Sequence, residues 1–221
     1  MSKNHMAPFL SLVIFLSLAL APTVATGATL TESGSAVATG KTILGTSSSF
    51  SWTSVFGTVT CTTATMTASV HQNSGGLFKL TISSPLSIGG TGTVGANGER
   101  RCTSTFPLNP QFEVKTENLH WCIENESAIS DTFVIQAKTC TESVAPRNVR
   151  FTWTSSLGNC TYEAAQMTGT FVTNTTPGTL ALEKQKFTRV AGGGSCPEST
   201  ELKVAWTLET DESPFTALSI S

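Results

Sequence analysis

The sequence predicts an all-β protein, an antiparallel β-sandwich or flattened barrel of about ten to twelve strands. Apolar residues recur at period two, most clearly Leu202, Val204, Trp206 and Leu208, with Glu201, Lys203, Thr207 and Glu209 between them. Only 13% of the 221 residues are charged, Ser, Thr and Gly abound, and no long run has helical spacing. One stretch is also used twice. Phe50-Ser51-Trp52-Thr53-Ser54 returns as Phe151-Thr152-Trp153-Thr154-Ser155, and in both copies a Met-Thr block follows 16 residues after the Phe, at Met66 and Met167. This reads as an internal duplication with halves of about 48–120 and 149–215, which predicts two pseudo-symmetric repeats in a single domain.

Residues 1–28 read as a secretory signal peptide, leaving 29–221 as one secreted β domain. Lys3 and His5 precede an apolar run from Phe9 to Ala21, and Ala25, Thr26, Gly27 and Ala28 supply the small residues for cleavage after Ala25 or Ala28. The run is too short to span a bilayer. The first cysteine is Cys61, so no lipid attaches at the cleavage point, and Pro214 to Ser221 is too short for a glycolipid-anchor tail. The expectation is an extracellular protein without a membrane anchor. Without Lys3 the chain keeps 12 basic against 15 acidic residues, and only Arg100 and Arg101 are adjacent, which argues against a nucleic-acid partner.

All six cysteines (Cys61, Cys102, Cys122, Cys140, Cys160, Cys196) lie in the exported part, and an even number there predicts three disulfides. Cys61 and Cys160 each follow a Phe-x-Trp-Thr-Ser block, while Cys102 and Cys196 each precede an alternating strand. Like halves should make like bridges. That favours Cys61 with Cys102 and Cys160 with Cys196, leaving Cys122 for Cys140.

Taken in order, Thr29 to Gly40 reads as an exposed lead-in and Thr42 to Leu44 as a weak strand. Phe50 to Ser54 alternates, Val55 to Val59 bends, and a strand through Cys61 to His71 puts Met66, Ala68 and Val70 on one face. Asn73 to Gly76 is a turn into a strand with Phe78, Leu80 and Ile82. Gly89 to Gly98 reads as a mobile surface loop; its glycines lack the strand-to-helix setting and the Lys of a phosphate loop. Beyond the turn at Pro107–Pro110, the apolar phase slips by one between Phe112-Glu-Val114 and Trp121-Cys-Ile123, predicting a bulge near Glu117-Asn118. Phe133, Ile135 and Ala137 make the next strand. In the second copy Val149, Phe151 and Trp153 face one way, a long strand to Asn174 follows, and the turn at Pro177-Gly178 leads to Leu180 and Leu182. Ala191 to Gly194 reads as a second flexible loop, and Phe215, Leu218 and Ile220 are expected to close the core.

Few residues invite chemistry. His71 falls on a Thr and Ser face, and His120 stands beside Trp121, so these two neighbours are the candidate ligand contacts. Two separated histidines, with cysteine spacings of 41, 20, 18, 20 and 36, make no zinc site. A triad of a Ser with His120 and Asp131 lacks a nucleophile elbow. Glu117, Glu124, Glu126 and Asp131 could in principle cleave a glycoside, but loop solvation accounts for them as well. Trp52, Trp153 and Trp206 lie on apolar faces and are expected in the core. Asn125-Glu-Ser127, Asn159-Cys-Thr161 and Asn174-Thr-Thr176 fit the glycosylation pattern.

The run Gly57-Thr-Val-Thr-Cys61-Thr through Met66-Thr-Ala-Ser-Val resembles uncharacterised secreted actinobacterial proteins. So do Gly158-Asn-Cys160-Thr-Tyr162, Met167-Thr-Gly-Thr, Ser195-Cys196-Pro197 and the ending Pro214-Phe-Thr-Ala-Leu-Ser-Ile. The resemblance implies bacterial export and carries over no activity, cofactor or catalytic residue. The expected function is that of a non-catalytic extracellular binding or structural module, with no cofactor and a partner left open. The alternatives are a barrel holding a small apolar or glycan ligand in an aromatic-lined cavity, and a hydrolase using the carboxylates near 117 to 131.

Overall fold

The computed structural model describes residues 28–220, apart from 97, 126, 128–130, 174 and 213. Residues 1–27, which hold the apolar run from Phe9 to Ala21 expected to be a signal peptide, lie outside the described residues, as do Glu126 and Asn174. The described residues form eighteen β-strands, all antiparallel in their pairing. They are β1 Leu30–Glu32, β2 Ser35–Ala36, β3 Thr42–Ser47, β4 Phe50–Ser54, β5 Gly57–Cys61 and β6 Thr63–Ser74. Then come β7 Leu77–Ile82, β8 Ser87–Gly89, β9 Thr103–Ser104, β10 Glu113–Glu117, β11 Trp121–Asn125 and β12 Thr132–Gln136. The last six are β13 Val149–Ser155, β14 Gly158–Ala164, β15 Met167–Val172, β16 Thr179–Ala191, β17 Ser199–Thr210 and β18 Ser219–Ile220.

The long β16–β17 ribbon organises everything else because it serves two circuits. Its upper part closes an eight-stranded barrel in the order β16-β15-β12-β11-β7-β6-β3-β17. Its lower part carries β14, β13 and β10 on one side and β4, β5 and β9 on the other. A bridge between Cys102 and Phe112 then brings β9 beside β10 and closes this second circuit. Thus β17 pairs with β4 through Glu201 to Val204 and with β3 through Thr207 to Thr210. On β16 the pairing with β17 slips between Leu182 and Gln185, where Lys184 has a φ of 51°. Such a bulge increases local twist, and here it lies where the ribbon passes from one circuit to the other.

Period-two alternation puts one face of every wall inside. Along β17, Thr200, Leu202, Val204, Trp206, Leu208 and Thr210 are all buried, as the sequence predicts for its apolar members. The two circuits share one core: Trp121 of β11 meets Phe151 of β13 edge-on at 5.4 Å, and Phe50 of β4 lies 6.1 Å from Trp206. All four tryptophans are buried, so none offers its ring to solvent as a stacking platform. The bridges are Cys61–Cys102, Cys122–Cys140 and Cys160–Cys196. Three disulfides in a domain of this size fit an oxidising, extracellular setting.

Several expectations need correction. The lead-in is not simply exposed: β1 and β2 form a small sheet with β18, and Leu30 is fully buried. Asn73, expected in a turn, is buried at the end of β6. Its amide accepts from Leu30 N at 2.8 Å and donates to Leu30 O and Val37 O at 2.7 and 3.0 Å. Leu218 and Ile220 enter the core, but Phe215 is 60% exposed. Nor is the Gly89–Gly98 stretch a free loop. Gly90 and Gly92 donate to the carbonyls of Arg100 and Arg101 at 2.8 Å, and a Cβ on Gly90 would stand 2.6 Å from Arg101 O. Glycine is needed there for close backbone approach.

The expected bulge at Glu117-Asn118 is a crossing, since β10 belongs to the lower circuit and β11 to the upper. The long strand expected from Cys61 breaks for the same reason at Thr62, and the one expected to follow Trp153 breaks at Ala165-Gln166. The used-twice stretch forms two hairpins with matching turns, β4–β5 and β13–β14. They sit on the ribbon in opposite strand order, since β4 lies on β17 whereas β14 lies on β16. Cys61 pairs with Phe50 but Cys160 with Trp153, so the cysteines are not equivalent within the hairpins.

A candidate apolar binding end

Both hairpin turns are built on a Ser-x-x-Gly sequence. Ser54 Oγ accepts from Phe56 N at 3.2 Å and donates to Gly57 O at 3.2 Å. Ser155 Oγ accepts from Leu157 N at 3.1 Å and donates to Gly158 O at 3.5 Å. The hydroxyl holds the backbone of each turn, so the third residue, Phe56 or Leu157, is free to face outward. Gly57 has a φ of 135°, and a Cβ there would meet Thr105 Oγ1 at 2.7 Å.

Both turns point to the same end of the molecule, at the start of β17, where Thr200 Oγ1 donates to Thr53 O. Two further loops join them. In the Phe106-Pro107-Leu108-Asn109 turn, Asn109 N donates to Phe106 O at 2.8 Å, and positive φ at Leu108 and Asn109 throws the Leu108 side chain outward. The glycine loop before Cys196 is held by Arg189, whose guanidinium donates to Gly193 O at 2.9 Å and to Cys196 O. Ser195 Oγ ties it to Leu157 O at 3.2 Å. It is therefore a stapled loop, not the flexible one expected. Disulfides fix its base and that of the Phe106 turn: Cys160–Cys196 joins β14 to the glycine loop, and Cys61–Cys102 joins β5 to the segment that leads into β9.

The result is an exposed apolar end. Val55 and Leu108 are each 88% exposed, Phe56 41% and Leu157 40%. Between them runs a groove of about 230 Å³, lined by Phe56, Phe106, Pro107, Leu108, Leu157, Gly194 and Ser195. Phe106 forms its floor, edge-on to Phe56 at 6.2 Å and to Phe112 at 5.4 Å. No charged residue occurs in 53–59, 104–111, 154–162 or 190–197. A cluster of exposed large apolar side chains drawn from several loops marks an interaction surface more often than chance exposure does.

The residues singled out in the sequence lie elsewhere. His120 is exposed and lines a recess of about 170 Å³ with Lys138, Glu142 and Arg147. Its neighbour Trp121 is buried, with Nε1 donating to Glu117 O at 3.1 Å, so it offers no face for stacking and the pair does not act as one contact. His71 is exposed, as expected. Glu117 accepts from Thr152 Oγ1 at 2.7 Å and lies 3.7 Å from Arg150, while Glu124 sits between Lys79 at 3.2 Å and Lys138 at 2.8 Å. The two carboxylates are thus committed to different cations. Asp131 serves through its backbone, its carbonyl accepting from Phe171 N. The described residues contain no group of three His, Cys, Asp or Glu placed to hold a metal. The Asn125 side chain accepts from Phe78 N and donates to the carbonyls of Gly76 and Ser127, which leaves no free amide for a glycan, whereas Asn159 is exposed.

Burial pushes the Glu124 carboxyl up, but hydrogen bonds from Lys138 and Lys79 outweigh it and hold the pKa below the ordinary 4.5. A carboxylate depressed in the folded state contributes stability above its unfolded pKa and loses it as pH falls through the folded value. Thermal unfolding should therefore shift to lower temperature as pH drops below about 4.5, and Glu124→Gln should flatten that slope. Glu163 adds a second, independent component, because Asn148 and Arg150 hold its carboxyl low against burial. An unchanged slope in the Gln variant would contradict the assignment to Glu124.

Sequence reasoning missed the apolar end because it read Val55-Phe56 and Pro107-Leu108 only as bends. The available signal was large apolar residues at turn apices, where alternation gives no reason for them. Comparison with protein-family models, with curated proteins and with solved structures finds no match.

Proposed function

We propose that this is a non-catalytic extracellular binding module, exported by a bacterium, which engages its partner through the apolar end. The observation that carries the reading is the convergence of Phe56, Leu108 and Leu157 from three different turns around one groove, with Val55 exposed beside Phe56. Leaving such side chains in water forgoes about 1.5–3 kcal/mol for each large one that could be buried. Two buried disulfides and a set of turn hydrogen bonds nevertheless hold them out. A surface built in this way favours contact over chemistry, and two of the carboxylates considered for hydrolysis, Glu124 and Glu117, are paired with Lys79 and Lys138 and with Arg150.

The test uses Nile red, an uncharged dye whose emission rises on apolar surfaces. The folded, oxidised protein should enhance its emission, and the double variant Val55→Ser/Leu108→Ser should lose most of that enhancement with its thermal stability unchanged. Equal enhancement by the two proteins would remove the apolar end as the binding surface.

A further inference from the structure

Resting on that reading, we infer that the occupant is the interfacial region of a neutral, zwitterionic lipid bilayer, which the apolar end enters as a blunt wedge. Shape argues for this first. Val55 and Leu108, the two most exposed large apolar residues among those described, stand at the apices of separate turns and project beyond the shallow groove. A convex apolar tip suits a deformable interface.

Charge selects the kind of lipid. The four loops carry no charged residue, their turns hold Ser54, Thr105, Asn109, Ser155 and Ser195, and the charges that line the recess beside Val55 and Phe56, Arg189 and Glu198, are of opposite sign, so the end has no net charge. Adsorption to anionic lipid draws instead on clustered Lys and Arg.

The backbone supplies the last argument. Polar main-chain groups entering a membrane must already be satisfied, because hydrocarbon offers them no partner. Phe56 N and Leu157 N are bonded to the turn serines, and Asn109 N to Phe106 O. Each of the three turns that would enter therefore arrives with a main-chain donor of its tip already satisfied. Phe215 belongs to the other end of β17, roughly 35 Å away for a strand of this length, and would stay in water.

The experiment is co-sedimentation with phosphatidylcholine vesicles, using protein recovered from the medium of an exporting host. The wild type should partition onto the vesicles to a similar extent in low and high salt, because apolar insertion is not screened. Val55→Ser/Leu108→Ser should lower the partition coefficient by about tenfold or more, and Phe215→Ser, a control at the far end, should leave it unchanged. No partition of the wild type, equal partition of the double variant, or binding to anionic vesicles alone would each overturn the lipid assignment. A dimer in sedimentation analysis that the double variant abolishes would place a second copy on the surface and likewise overturn it. In those cases an intact Nile red response would leave the binding-module reading standing, whereas a wild type that fails to enhance the dye would remove both.

Discussion

Replacing Cys61 and Cys102 together by Ala should lower the free energy of unfolding by about 4 kcal/mol. The bridge closes a loop of 41 residues in sequence separation, and on the chain-entropy model a loop of that length constrains the unfolded chain more than the 18-residue separation of Cys122–Cys140, for which about 3 kcal/mol is expected. There is a structural reason for the larger figure as well. Cys102 is the residue whose pairing with Phe112 closes the lower circuit, and Cys61 ends β5 on the opposite wall. Without the bridge, β9 is held to β5 by the short pairings of Val59 with Ser104 and Thr60 with Thr103 and by the hydrogen bonds between Thr105 and Thr58. Both sulfurs are fully buried, so Ala avoids stranding a hydroxyl where Ser would. Urea unfolding of the two double variants would decide the matter: a smaller loss for Cys61/Cys102 than for Cys122/Cys140 would mean that the lower circuit closes without help. The loss should also carry to the apolar end, since the Phe106 turn follows Cys102 by four residues, and Nile red enhancement should fall with it.

Strand faces were legible in the sequence because alternation is a local property. Val149, Phe151 and Trp153 point inward as expected, as do Phe78, Leu80 and the whole inner face of β17. The pairing of the cysteines came out as the recurrence of the Phe-x-Trp-Thr-Ser block suggested, although Cys61 and Cys160 do not hold equivalent places in their hairpins. What alternation does not record is which circuit a strand joins. Around Thr62 the chain passes from a strand on β4 to one on β3 with little break in its apolar rhythm, so β5 and β6 read as one. At Asn118 the rhythm does slip, yet a bulge and a crossing leave the same one-residue trace. The tightly packed glycines show a related limit: a Gly that lets backbones touch and a Gly that lets a loop swing look alike until the facing strand is known. The apolar end was hidden for a simpler reason. Its loops, around Phe56, Leu108, Leu157 and Ser195, lie between 38 and 139 residues apart in sequence, and nothing in any one of them says that the others are near.

The largest single-residue effect should come from Trp153→Ala, with a loss of about 3–5 kcal/mol. Trp153 is fully buried at the centre of the lower circuit, its ring 4.6 Å from Tyr162, 5.5 Å from Trp52 and 5.6 Å from Phe112. Truncation would remove a shared face from these three rings and from Phe106 at 6.5 Å, and walls held by the β16–β17 ribbon and two disulfides have little room to collapse into the space. Trp153→Phe separates packing from hydrogen bonding. The indole Nε1 of Trp153 has no hydrogen-bond partner and sits among rings, so replacing it forfeits volume but no bond. The Phe variant should therefore lose less than half of what the Ala variant loses. Trp121 provides the contrast, because its Nε1 donates to Glu117 O at the crossing between the circuits. There Phe should recover a smaller share of the loss than at 153, since the carbonyl it abandons is one of the groups that fix the turn from β10 to β11. Equal recovery at the two sites in parallel urea titrations would show that the Trp121 hydrogen bond contributes nothing to the crossing, and that ring volume alone sets the stability of the shared core.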